Sequence, residues 1–555
     1  MNFDPAQFKS HFPLFAQPQN QSLVYLDNAA TTQKPQCVLD AIGDFYLNAN
    51  GNAQRASHRL ARLATALIED TRVMAANFLG AASANEVAFT QGATQALNLV
   101  AFGLTDYCQP GDEVVVSHME HHANLLPWQR LVQAQQCHLQ FFPEEKGLPQ
   151  WHRWPEVITS QTRVLAISAA SNVLGVITDL SWLADIKRQY PELLIVLDAS
   201  QLACHQPLHA DQWPCDFLVC SAHKFYGPTG VGLLYGREPL LHTLSPLVVG
   251  GEMVERVERQ HSTYVDSVHR LEAGTTSMAA IAGLQACLSF WQQQPRQLIM
   301  DYEAHLLHYL HEQVERHLSS QLQLLTSPHK NVGIATCVSC DDEQSMSDLA
   351  DYLDQQDIAV RVGDHCAQPL WASMRSYYQR DKGLRVSLSA YNTRDDIDRL
   401  IVAATDFFQL TVSKTPVAMV PVTDTFGDLQ WEGLLDLPWQ QRYKTLLRWG
   451  SRISPKPAIR QPQLIVKGCE SQVWLSTVKH QERYYFELDS DSNVIKGLAV
   501  LLLVWVNGRS QQEIMAIDIE GRYQQLGFDK YLSQSRMNGF KALLDAIMAK
   551  VNQSY

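Results

Sequence analysis

From residue 86 to residue 235 the chain alternates short apolar stretches with segments whose apolar residues recur at helical spacing. The apolar stretches lie at 86–90, 113–117, 164–169, 193–197, 217–220 and 231–235. Strands separated by helices do not pair as tight hairpins, so the pattern predicts a mostly parallel α/β sheet with right-handed crossovers. Such sheets hold ligands in the crevice beyond the carboxyl ends of their strands. Here those ends are chemically dense. Gly92-Ala93-Thr94 follows the first stretch and residues 118–124 the second. Ser171-Asn172 follows the third, Asp198 the fourth and Ser221-Ala222-His223-Lys224 the fifth.

Helical periodicity also covers 35–47 and 58–79. After about residue 280 long helices and mixed strands predict a smaller α+β domain reaching residue 410. The expected division is a first domain over 1–410, with a large part at about 20–280 and a small part at about 281–410 that takes in the N-terminal segment. A linker over 411–428 and a separate α+β unit over 429–555 follow. A chain of 555 residues exceeds one ordinary core, which requires such a division. Its 46% apolar and 18% charged residues fit a soluble globular protein. A formal net charge of −13 argues against nucleic acid and against anionic membrane surfaces as partners. The first residues carry no basic and apolar leader, and the longest apolar run, 497–506, is half a bilayer span. Eleven scattered cysteines suit a reducing cytoplasm better than a disulfide framework.

The strand-end residues match what pyridoxal 5'-phosphate needs. Lys224 offers an amine for its aldehyde, and Asp198 a carboxylate to keep its ring nitrogen protonated. The helix opened by Gly92-Ala93-Thr94 offers backbone N–H groups for its phosphate, with Ser221 and His223 adding side-chain donors, and His121 offers a flat ring. Each has a plainer reading: Asp198 and Gly92-Ala93-Thr94 as helix caps, His121 and His122 as metal ligands. The residues near that histidine pair lack zinc spacing, so no metal is expected. The argument is the joint occurrence on one crevice.

Asp198-Ala199-Ser200-Gln201, Ser221-Ala222-His223-Lys224, Glu120-His121-His122-Ala123-Asn124, Ser171-Asn172-Val173-Leu174-Gly175 and Ala273-Gly274-Thr275 together resemble the motif set of the cysteine desulfurases. These are class V aminotransferases of fold-type I, and the resemblance spans about residues 10–408. It implies that Lys224 binds the cofactor, Asp198 pairs with its ring nitrogen, His121 stacks on it and Gln201 reaches its phenolic oxygen. Ala93, Thr94, Ser221 and His223 would hold the phosphate, joined by Thr275 across a homodimer interface. Asn172 and Arg385, with Arg361 and Ala30, would receive the carboxylate of L-cysteine, and a guanidinium suits that planar group. Cys366, between His365 and Ala367, matches the nucleophile in a loop similar to the SufS/CsdA-like group, and a neighbouring His and Arg would favour its thiolate. Two departures stand out. Gln54-Arg55-Ala56 replaces the usual His-Arg-Gly, and the segment from Cys366 to Arg385 runs a few residues long. Cys337-Val338-Ser339-Cys340 reads as strand-packed thiols.

Residues 466–475, Asp489-Ser490-Asp491, Ile495-Lys496-Gly497-Leu498 and 533–539 resemble the SufE/CsdE sulfur-acceptor family over about 425–550, which implies Cys469 as an acceptor thiol. Donor and acceptor in one chain predict a relay. Sulfur from cysteine forms a Cys366 persulfide, alanine leaves, and Cys469 takes the sulfur by thiol exchange for iron–sulfur assembly or related trafficking. A linker of about 15 residues reaches at most roughly 50 Å and gives an effective concentration on the order of millimolar. The rival expectations are a selenocysteine lyase or cysteine-sulfinate desulfinase, and a non-catalytic scaffold for sulfur-assembly proteins.

Overall fold

The computed structural model describes residues 3–54, 57–341, 345–412, 426, 429–453, 456, 459–460, 464–466, 472–480, 483–490, 492–527 and 534–552. It forms two compact units, Met1–Phe407 and Phe408–Tyr555.

The first unit is built on a seven-stranded sheet: β1 Val87–Thr90, β2 Glu113–Val116, β3 His138–Phe141, β4 Thr162–Ser168, β5 Leu194–Asp198, β6 Phe217–Ser221 and β7 Gly232–Gly236. The spatial order is β1-β7-β6-β5-β4-β2-β3. β7 runs antiparallel to both its neighbours and every other pair is parallel. Side chains alternate between two apolar layers. Leu165, Ile167, Ile195, Leu197 and Leu218 face one layer, and Val164, Ala166, Leu194, Val196 and Val219 the other. A sheet buried on both faces reads as continuous apolar runs, which is why its inner strands stand out in the sequence. β3 does not, because it is an edge strand whose residues alternate between exposed and half-buried.

The helix α1 Ala93–Gly103 starts at Gly92, where the chain turns back along β7. A Cβ on Gly232 would lie 2.5 Å from Gly92 Cα, so β7 admits only glycine there. After α2 Met278–Gln292 and α3 Arg296–Leu318 comes a four-stranded antiparallel sheet. Its strands are β8 Leu322–Leu324, β9 Ile334–Ser339, β10 Arg361–Gly363 and β11 Gly383–Ser387. The long segment after Cys366 is absorbed by α4 Gln368–Tyr378, which ends on Gln379 in the left-handed conformation (φ 53°). Cys337 is buried on β9 and Cys340 is exposed beyond it. Helix α5 Arg394–Val412 carries into the expected linker, and 413–425 and 427–428 lie outside the described residues.

The second unit pairs β12 Val473–His480 with β13 Arg483–Ser490 and the short β14 Arg509–Ser510. Among the described residues, the strand expected at 464–466 is a single bridge between Ile465 and Trp474. Helix α6 Trp439–Gly450 precedes this sheet, and α7 Asn493–Val506, the longest apolar run, is buried against it and α6. Gly497 permits that packing, since a Cβ there would sit 2.4 Å from the Leu446 carbonyl oxygen. No described helix is long and apolar enough to cross a membrane. Cys469 lies outside the described residues.

Candidate active site

β5 and β6 run parallel side by side and end at Asp198 and Ser221, so a carboxylate and the turn carrying Lys224 emerge at one sheet edge. Lys224 Nζ has no hydrogen-bond partner among the described residues. Its pKa is lowered by burial, while Asp198 pulls it back up and Arg385 lowers it further. Asp198 accepts from Ser200 N at 2.9 Å through one oxygen, and its other oxygen takes no hydrogen bond from the described residues. Ser221 Oγ accepts from Ala93 N at 2.8 Å, which leaves its own O–H to donate. Thr94 is exposed at the second position of α1, where an N–H has no intrahelical acceptor. Gln201 Nε2 donates to Ala29 O at 2.9 Å. Ala30, half-buried, closes a turn by donating to Asp27 O. Thr275 is exposed and lines a cavity with Gln91 and Gln95, beside the start of α1.

These groups fit pyridoxal phosphate. Among the described residues the amine has no hydrogen-bond partner, one carboxylate oxygen accepts no bond, and the N–H groups of Thr94 and Gln95 at the helix start are unclaimed.

Burial sets the histidines. His121 is held at about 4 by desolvation and by the Lys224 charge. Its Nδ1 accepts from Ala123 N at 3.0 Å, so the neutral ring carries its proton on Nε2. His223 is also held at about 4, by burial and then Lys224, with Nδ1 3.2 Å from Thr31 Oγ1. His365 falls to about 3 through burial and then Arg385, and His311 to about 4 through burial. His365 is therefore neutral, and the cations that face Cys366 are Lys224, Arg361 and Arg385 rather than this imidazole.

A histidine depressed by folding contributes stability that is complete above the unfolded value of about 6.5 and lost as pH falls toward the folded value. Glu120 acts oppositely. Burial raises it to about 7 despite hydrogen bonds from Ser117, Ser168 and Asn124, so it adds stability as pH falls toward about 4.5. Burial lowers His118 as well, so five rings oppose one carboxyl and outweigh it. The urea midpoint of the intact protein should fall between pH 6.5 and 4.5 by the equivalent of about 2–4 kcal/mol, after discounting the partly exposed rings. A flat midpoint over that range would show that the histidines are not neutral in the fold.

Cys366 is exposed and sits on a tethered loop. His122 N donates to Cys366 O at 2.7 Å, Gln368 N to His122 Nε2 at 3.2 Å, and Asn172 Nδ2 to His365 O at 2.7 Å. Trp371 Nε1 holds Asp364 O, and His365 Nε2 lies 3.2 Å from Gly383 O. His365 and Cys366 are both left-handed, at φ 52° and 57°, a conformation that side chains resist and that surrounding contacts must enforce. His122 and Asn172, which hold this loop, follow the carboxyl ends of β2 and β4, on the same end of the sheet from which the Lys224 turn leaves β6.

Arg385, 3% exposed on β11, donates Nη1 to Asn172 O at 2.8 Å and Nη2 to Asp27 Oδ1 at 3.2 Å. Its Nε and Asn172 Oδ1 are buried and, among the described residues, without hydrogen-bond partners. Arg361 grips Asp27 with Nε and Nη2 at 2.7–3.1 Å. Asp27 and Lys34 were not singled out by sequence. Lys34 Nζ donates to Thr32 O at 2.6 Å and to His223 O at 3.0 Å, and burial lowers its pKa to about 8. The usable signal for both was their place within one short segment, 25–34, of small and polar residues. Gln54, at φ 60°, donates its N–H to Thr65 Oγ1, and Arg55 and Ala56 lie outside the described residues.

Residues 24–400 match the family described as aminotransferase class-V. The chain belongs to that family. Among its class-V relatives is a cysteine desulfurase of Serratia proteamaculans, 37% identical over 406 residues, covering 72% of this chain and 97% of that protein. One of Yersinia pestis is 38% identical over 410 residues, covering 72% and 97%. Among solved structures the class-V unit is similar to the Escherichia coli cysteine desulfurase CsdA in its S-sulfonic acid form, at TM-score 0.67 and 33% identity over 74% of this chain and 99% of that one. The apo cysteine desulfurase of Thermococcus onnurineus gives TM-score 0.68 and 29% identity over 74% and 99%. Residues 435–551 match the SufE family, described as an Fe-S metabolism associated domain.

Proposed function

We propose that the class-V unit is a pyridoxal-phosphate-dependent L-cysteine desulfurase that loads sulfur onto Cys366 and frees L-alanine, and that Cys469 of the SufE domain carries the sulfur onward. The carrying observation is the Cys366 loop, pinned by His122, Asn172 and Gly383 at the crevice that holds Lys224.

Lys224, Asp198, His121, Gln201, Ala93, Thr94, Ser221 and His223 would hold the cofactor, with Thr275 of a second copy. Once bound, it supplies an electron sink for the substrate's Cα and Cβ. Arg385 and Asn172 receive the substrate carboxylate. Arg385 uses two of its five N–H donors on Asn172 O and Asp27, and Asn172 Nδ2 spends one of its two N–H groups on His365 O, so both side chains keep donors for a carboxylate. Ala30 and Arg361 border this carboxylate site. The Lys224 amine, kept basic and poorly solvated, takes the Cα proton. Cys366 Sγ then attacks the substrate sulfur. The S–S bond forms as the Cβ–S bond breaks and the electron pair passes to Cβ; protonation at Cβ, with a proton returned to Cα, completes L-alanine. Cys469 thiolate next attacks the outer sulfur and Cys366 leaves as thiolate.

Tyr46 and Leu47, 60% and 82% exposed, support a homodimer. Cytoplasmic iron–sulfur assembly proteins are the proposed sulfur recipients.

The test is intact mass and peptide mapping of cofactor-loaded protein after L-cysteine. Sulfane sulfur should sit on Cys469 in the parent and accumulate on Cys366 in Cys469→Ser. A Cys469 that never gains sulfur would reduce the SufE domain to a docking module. Within one chain or one dimer the transfer rate should not rise with protein concentration, and a proportional rise would overturn the tethered relay.

A further inference from the structure

β10 and β11 pair so that Arg361 lies directly opposite Arg385. Like charges in that position repel, so the pair needs an anion between them. Asp27 supplies it, taking Arg361 at 2.7–3.1 Å and Arg385 at 3.2 Å. It is fixed in place, because its backbone bridges to Ser387 on β11 and its carbonyl caps the turn to Ala30. The two arginines differ in freedom. Arg385 is 3% exposed and also tied to Asn172, whereas the Arg361 side chain is 49% exposed and, among the described residues, held by Asp27 alone.

We propose that Asp27 is an internal carboxylate competing with the ligand's carboxylate for this arginine pair, so that it weakens capture and hastens release of carboxylate ligands. The proposal rests on Arg385 receiving the substrate carboxylate. Asp27 is a positioning residue: it neutralises part of the Arg385 charge and keeps the Arg361 fork closed on itself, away from any other anion. Removing its charge strengthens the field at the open Arg385 donors and frees Arg361 to turn toward the ligand.

The test is calorimetric titration of the cofactor-loaded full chain with 3-mercaptopropionate, a thiol and carboxylate without an amine. Cysteamine, a thiol and amine without a carboxylate, is the control. Asp27→Asn, which keeps shape and removes charge, should bind 3-mercaptopropionate about 3- to 10-fold more tightly and cysteamine within about 2-fold of the parent. Arg361→Gln alone leaves Asp27 wholly on Arg385 and should weaken 3-mercaptopropionate about 2- to 5-fold. In the double variant the gain from Asp27→Asn should shrink, because part of it came through Arg361. Unchanged or weaker 3-mercaptopropionate binding in Asp27→Asn overturns the proposal. So does equal tightening of cysteamine, or a parent that does not bind 3-mercaptopropionate. The titration reads binding and not turnover, so loss of the desulfurase reading would show separately, as a parent that binds the probe yet forms no persulfide from L-cysteine.

Discussion

Lys224→Ala should leave a folded protein whose kcat/KM for alanine release from L-cysteine is lower by about 10⁴-fold or more. The loss has two parts. On the proposed reading the amine joins the cofactor aldehyde and is also the base for the Cα proton. Burial lowers its pKa below that of a surface lysine, with Asp198 opposing and Arg385 assisting. In deuterated buffer the variant should also fail to exchange the Cα proton of added L-alanine. Exchange at the parent's rate would remove Lys224 from the proton step.

Cys366→Ser separates the second half of the chemistry from the first. Persulfide formation and alanine release should fall by about 10³-fold or more, because a hydroxyl at neutral pH is a far weaker nucleophile toward sulfur than a thiolate. Exchange at Cα should persist near the parent's rate, since Lys224 and the carboxylate site are untouched. A Cys366→Ser protein that still releases alanine at the parent's rate, with no sulfur on any cysteine, would point to a lyase that lets sulfur leave unassisted. His365→Gln should change activity much less, because the neighbouring imidazole is already neutral.

Much of this arrangement was readable because the inner strands are apolar throughout and their polar residues collect at one end. Lys224, Asp198, Asn172 and His121 each sit within a few residues of a strand terminus, where local sequence is informative. The edge strand His138–Phe141 escaped because one side of its pairing is open and its residues are polar as often as apolar. Asp27 escaped for a different reason. Its partners Arg361 and Arg385 lie 334 and 358 residues away, so its charge has no meaning until the second sheet is folded beside the N-terminal segment. The charge state of His365 was misjudged on the same ground. Sequence places an imidazole next to a thiol, and only the fold buries it against Arg385.

A persulfide lengthens the Cys366 side chain by one sulfur, about 2 Å. The loop that carries it is stitched to His122, Asn172 and Gly383, with two successive residues locked in left-handed backbone. Such a loop does not swing its cargo outward. On the proposed relay the sulfur would be handed over where it was made, like a parcel at a fixed counter, and the travelling would belong to whatever thiol comes to collect it.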